Sequence, residues 1–227
     1  MMTFYAAVGT YRIITENGKK MPYIQQMGKL HPISIPEFFI WSTLLWEVMT
    51  YEELKGIYDR QQETMNAELP GFDRCLAMLI RRKLIVRGTG YTGVDALYNM
   101  LDGTFLTPVR VQGLKKIPVI CRLLYEKKIK PKDAVKLMRP ESHTADERRI
   151  LGLINQTPLS VSELIRCLDN GVYDVHTPDR VIDAVYSEES DTQTRMHCTS
   201  NLSDNRQKVL EAAANLYLAR KVILEHI

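Results

Sequence analysis

The chain has 227 residues, 45% of them hydrophobic and 25% charged, with a net charge of +3. That is enough apolar material for one large or two small cored domains, and it excludes global disorder. No apolar run approaches the roughly 20 residues that span a bilayer, and Met1-Met-Thr-Phe-Tyr-Ala-Ala-Val-Gly9 lacks the basic and apolar regions of a signal peptide, so a cytoplasmic protein with no membrane partner is expected.

Residues 3–27 read as β structure, with Asn17-Gly18 between two apolar-rich arms as a strong hairpin signal. Ser34 can cap a helix that carries Pro36 in its first turn, and Ile40, Trp41, Thr43, Leu44 and Trp46 belong to that first helix. Thr50 and Glu53 form a capping box that opens a second helix to about Arg60, with Tyr51, Leu54, Ile57 and Tyr58 facing inward. A loop over 61–70 then leads to the third helix, from Gly71. Phe72, Cys75, Leu76, Leu79 and Ile80 make one apolar stripe at helical period, and Arg74, Ala77, Met78, Arg81 and Arg82 occupy the opposite face. The helix passes through Lys83 into a short strand, Leu84-Ile85-Val86, that stops at Arg87-Gly88. A two-turn helix over 94–101, ended by Gly103, follows. Residues 104–109 are expected to return beside 84–86 as the second strand of a wing whose tip is a helix.

The charge is unevenly placed. Residues 1–73 hold 6 Lys/Arg and 9 Asp/Glu, residues 74–140 hold 15 and 4, and residues 141–227 hold 9 and 14. The middle block, at +11, includes Lys115, Lys116, Lys127, Lys128, Lys130 and Lys132 in a segment read as a basic helical linker over 110–143. A block of this size is the electrostatic footprint of a polyanion partner, to be weighed against an ordinary solvated basic face.

The second half repeats the first. An offset of 110 carries Ile40 and Leu44 onto Ile150 and Ile154, and the Thr50/Glu53 box onto Ser160/Glu163. An offset of 138 carries Arg82-Lys83-Leu84-Ile85-Val86 onto Arg220-Lys221-Val222-Ile223-Leu224 and places Leu210, Ala213, Ala214, Tyr217 and Leu218 inward. The outward face of that helix is then Ala212, Asn215, Leu216 and Ala219, which carries no charge. The intervening residues are read as a helix near 178–186 and a polar, acidic loop over 187–204.

Signals for catalysis or ligands are weak. Gly88-Thr-Gly-Tyr-Thr-Gly93 is literally G-x-G-x-x-G, but the following helix is too short for a dinucleotide unit, and Arg110 stands where an acid is needed; the glycines are read as tight turns of positive φ. Cys75, Cys121, Cys167 and Cys198 are widely separated, as in a reducing compartment. His197-Cys198 with His176 and Cys167 is too irregular to read as a zinc site. No cofactor, metal or enzymatic activity is expected.

Three helices passing into a strand, with the exits Arg82–Val86 and Arg220–Leu224, resemble the tandem winged helix-turn-helix proteins of bacteria, among them transcription regulators and plasmid replication initiators. The resemblance implies a mainly α fold with small β elements (α+β): an N-terminal β-hairpin extension over 1–33, winged-helix modules over 34–109 and 144–227, and the linker between them. It also implies docking on double-stranded DNA through helix 71–82 and the 110–139 segment. Arg74 and Met78 would lie near base edges, and Arg81, Arg82, Lys83 and Arg87 near phosphates. The second module would serve dimerisation or a protein partner. A protein-interaction adaptor built from the same modules is the competing reading.

Overall fold

Left-handed backbone at Gly9, Gly18, Met27 and Gly28 divides the first 32 residues into four strands: β1 (Met2–Ala7), β2 (Thr10–Glu16), β3 (Lys19–Gln26) and β4 (Lys29–Pro32). The computed structural model describes residues 1–16, 18–65, 71–109, 143–186 and 192–226. Glu16 lies opposite Lys19, the two-residue hairpin expected around Gly18. Met27 and Gly28 both have positive φ, the turn that matches strand twist, and they fold β4 back on β3. β1 leaves this ribbon at Gly9 and pairs elsewhere.

Ser34 and Glu37 form a capping box on α1 (Ile35–Thr43). The helix stops before Trp46, which sits at φ 62 outside it, so the first helix is shorter than expected. Thr50 closes β5 (Met49–Thr50), and its hydroxyl and amide hold Glu53 at the start of α2 (Tyr51–Met65). α2 continues through 61–65, where a loop was expected. α3 (Phe72–Arg81) buries Phe72, Cys75, Leu76 and Leu79, the expected stripe. The chain turns left-handed at Lys83, φ 58, into β6 (Ile85–Gly90). β1 lies between β5 and β6, with Phe4 opposite both Thr50 and Gly88.

α4 (Gly93–Leu101), capped by Thr92, lies along β6 and β1. Gly88 and Gly90 make this possible. A Cβ on Gly88 would come within 2.1 Å of the Ala96 carbonyl, and one on Gly90 within 2.4 Å of the Ala96 amide. Neither glycine has positive φ, so the expected turn role is corrected: they allow helix and strand backbones to touch.

The expected wing is also corrected. β7 (Phe105–Pro108) forms, but its partners are β8 (Leu159–Ser160) and β9 (Val222–Glu225), with Phe105 opposite Ser160 and Glu225. This sheet is the counterpart of β5-β1-β6. Around it pack α5 (Ala145–Gln156), α6 (Val161–Asp169), α7 (Pro178–Tyr186) and α8 (Thr192–Leu218). Capping boxes Thr144/Glu147 and Ser160/Glu163 start α5 and α6. α8 is helical from residue 192, where an acidic loop was expected.

The repeat holds with one shift of register. Lys83 at φ 58 and Arg220 at φ 61 mark the same left-handed exit, and the amides of Leu84 and Lys221 bond back to Leu79 and Leu216. The offset is therefore 137, not 138. Leu210, Ala213 and Tyr217 are buried as expected, whereas Leu218 is 48% exposed and Ala212 and Leu216 are buried. The outward positions equivalent to Arg74, Met78 and Arg81 become Glu211, Asn215 and Leu218.

Two apolar cores result. One gathers Tyr5, Ala7, Ile24, Trp41, Tyr58 and the α3 stripe. The other runs from Ala6, Val86 and Met100 through Leu106 to α5, α6 and α8. Tyr217 joins them: its hydroxyl donates toward the Ala7 and Leu44 carbonyls, and it accepts from the Trp46 amide. Within the second core, Arg206 ties α8 to α4, with its guanidinium 3.9 Å over the Tyr98 ring and 3.8 Å from Asp95. The protein is mixed α+β with small antiparallel sheets. Among the described residues, no helix is long and apolar enough to cross a membrane.

Candidate nucleic-acid interface

The apolar stripe of α3 fixes what its other face can do. With Phe72, Cys75, Leu76 and Leu79 packed against α1 and α2, the side chains of Arg74, Ala77, Met78 and Arg81 project outward and are exposed. Arg74 and Arg81 have no carboxylate partner among the described residues. Asp73, which would oppose an incoming phosphate, accepts a 2.6 Å hydrogen bond from the Tyr51 hydroxyl. That bond to a carboxylate pushes the Tyr51 phenol up to about 12.

The cations expected at phosphates separate into two groups. Arg87 is exposed on β6, opposite Tyr5 of β1. Arg82 turns back onto the fold, where its guanidinium donates to the Pro32 carbonyl and lies 3.8 Å from Glu37, the α1 capping acid. Lys83 is exposed at the left-handed turn, and its carbonyl accepts from Gln26 at 3.2 Å. Lys115, Lys116, Lys127, Lys128, Lys130 and Lys132 lie outside the described residues. Arg74, Met78 and Arg81 thus share the outward face of α3 and Arg87 is exposed on the strand that follows, while Arg82 and Lys83 are built into the turn between them.

Sequence reasoning missed the surroundings of that turn. Buried Gln26 donates its Nε2 to the Lys83 carbonyl and, at 2.7 Å, to the His226 carbonyl. It thereby ties β3, the α3 exit and the end of the chain together. His31 and Lys29 of β4 stand beside Arg82. Burial, then the charges of Arg82 and Lys29, holds the His31 imidazole below its ordinary range. No local motif marks this cluster, because Gln26, Lys83 and His226 are far apart in sequence.

Other candidate chemistries find no support among the described residues. The space a pyrophosphate would need beside Gly88 and Gly90 is filled by the α4 backbone. Cys167 is a buried free thiol, pushed up to about 11 by burial, and exposed His176 lies 3.6 Å from Asp174. No group of three His, Cys, Asp or Glu side chains is arranged to hold a metal among the described residues. In comparisons with family models, with curated proteins and with solved structures, the chain matches none.

Proposed function

We propose that this chain is a DNA-binding protein, a transcriptional regulator that docks on duplex DNA through α3. The observation that carries the reading is the outward face of that helix: Arg74, Met78 and Arg81 exposed, Asp73 engaged by Tyr51, and Arg87 following on β6. In this reading each set of helices with its three-stranded sheet is a winged-helix module. The support is the repeated order of capped helix, short strand, capped helix and left-handed exit into a strand, around the central strands β1 and β7. The +11 block over 74–140 adds the attraction a polyanion needs.

The second copy is assigned to contact with a protein partner or a second copy of the chain. Glu211 stands where α3 has Arg74, and a carboxylate there opposes a phosphate backbone. A competing adaptor role for the whole protein draws on the exposed apolar side chains Tyr11, Ile13 and Met21 of the N-terminal ribbon. The two readings part on substitution. In the first, Arg81→Ala with Arg87→Ala weakens binding to all duplex sequences alike, whereas Arg74→Ala narrows the gap between a preferred site and random DNA, a base contact being worth about 1–3 kcal/mol of discrimination. Anisotropy titrations with labelled duplexes measure both. Identical duplex affinity in all three proteins would favour the adaptor.

A further inference from the structure

The N-terminal ribbon has an open edge. In the order β2-β3-β4, β2 is an outer strand, and among the described residues no backbone group outside β3 bonds to it. The hairpin around Gly18 fixes which of its groups are free. A two-residue loop makes Glu16 and Lys19 a hydrogen-bonded pair, and such pairs recur at every second residue, so Thr10, Arg12, Ile14 and Glu16 direct their amides and carbonyls at β3. The N–H and C=O groups of Tyr11, Ile13 and Thr15 therefore point off the sheet. The other side of β3 agrees: the Ile33 amide donates to the Pro22 carbonyl, so the even-numbered residues of β3 face β4 and the odd-numbered ones face β2. The edge is also anchored, with the Tyr11 ring set edgewise on Phe38 and Trp41 at 5.8 and 6.4 Å between centroids. An exposed strand edge of this kind is a template for another strand.

The side chains decide which strand. Outward groups pair only with outward groups, so two antiparallel β2 strands can be related by a two-fold axis at Arg12, at Ile13 or at Ile14. At Arg12, two guanidinium groups would oppose each other. At Ile13, Arg12 would face Ile14 and meet no charge. At Ile14, Arg12 faces Glu16 of the second molecule, twice by symmetry, and Ile14 faces Ile14. Opposite charges across a strand pair stabilise it and like charges destabilise it, which selects the last register.

β3 extends the match. Met21, 40% exposed, lies opposite Ile14, so a row of Met21 and Ile14 runs unbroken into its symmetry copy. Beside it runs a row of Tyr23, Arg12 and then Glu16 and Lys19 of the second molecule, in which the charges alternate. The Tyr23 hydroxyl holds Glu16 Oε1 at 2.6 Å, which leaves Oε2 for the incoming guanidinium.

We propose that two molecules of this chain pair through antiparallel β2 strands about a two-fold axis at Ile14, joining their three-stranded ribbons into one continuous sheet. The contact is small, so the dimer forms in the micromolar range and is reversible. The interface lies in the ribbon and does not rest on duplex docking by α3.

Sedimentation velocity on the full chain over a concentration series tests it. The wild type passes from monomer to dimer as concentration rises. Ile13→Pro removes an outward N–H, leaves the ladder to β3 intact as edge prolines do, and keeps the chain monomeric. Arg12→Glu alone and Glu16→Arg alone each set like charges face to face and weaken dimerisation by about tenfold or more. An equimolar mixture of these two variants restores the dimer, since each carboxylate of one then faces a guanidinium of the other, and the recovery shows that both are folded. A wild type that stays monomeric throughout, as an adaptor for an unrelated protein would, overturns the interface. So does a dimer that Ile13→Pro and both charge reversals leave unchanged, which places the contact elsewhere, and so does a mixture that remains monomeric.

Discussion

Gly88→Ala probes the contact on which the middle of the molecule rests. A Cβ at this position would lie 2.1 Å from the Ala96 carbonyl oxygen and 2.2 Å from the Met100 amide nitrogen, more than an ångström short of ordinary contact at 3.4 Å. Both are backbone atoms, so no rotamer change relieves the clash and α4 must lift from β6. Overpacking where side chains can yield costs about 1–3 kcal/mol. Lifting α4 also uncovers part of Met100 and Leu101, both 2% exposed, and full burial of each is worth about 1.5–3 kcal/mol. A loss of about 3–5 kcal/mol is expected, a large share of the 5–15 kcal/mol typical of a folded domain. Urea unfolding followed by circular dichroism measures it. Gly152→Ala, on α5 with nothing within 4 Å of its would-be Cβ, is the comparison and should gain about 0.5–1 kcal/mol. If Gly88→Ala unfolds at the wild-type midpoint, α4 does not lie on the strand, and the glycines need another explanation.

The remaining expectations use the same assay or its pH dependence. Leu76→Ala in the α3 stripe should cost about 2–5 kcal/mol, whereas Arg74→Ala on the outer face should stay within about 0.5 kcal/mol; equal losses would mean the helix is rotated. Tyr217→Phe removes the hydroxyl that accepts the Trp46 amide and reaches two carbonyls, and it should cost about 1–3 kcal/mol; a neutral result would show that the two cores do not depend on it. Because the His31 pKa is lowered in the fold, the unfolded chain binds more protons between the folded value and 6.5, so stability falls on acidification through that window. His31→Gln should flatten that part of the pH–stability curve, and an unchanged slope would contradict the assignment.

What could be read from the sequence was what is local. The Ser34 cap and the boxes Thr50/Glu53 and Ser160/Glu163 place helix starts because a side chain and an amide three residues apart suffice. The α3 stripe and the hairpin at Gly18 are equally short-range. The partner of β7 was not legible, since four residues of strand carry nothing that distinguishes β6 from β9. The register of the second copy slipped by one because Lys83 and Arg220 adopt the left-handed turn that glycine usually marks. The polar stretch beginning at 192 has no apolar period to announce α8. That Arg74, Met78 and Arg81 are exposed follows from their place opposite the α3 stripe, but the turning of Arg82 onto Glu37 and the cluster around Gln26 depend on chain closure over long separations.

The central claim, docking of α3 and its basic surroundings on duplex DNA, is tested most directly by the salt dependence of binding. A random duplex is titrated with the full chain over a series of monovalent salt concentrations, and log K is plotted against log salt. Each neutralised phosphate releases condensed counterions, so a straight line falling by about 0.9 per contact is expected, and Arg81→Ala with Arg87→Ala should flatten it by roughly 1–2. No salt-dependent binding to any duplex at micromolar protein would contradict the account.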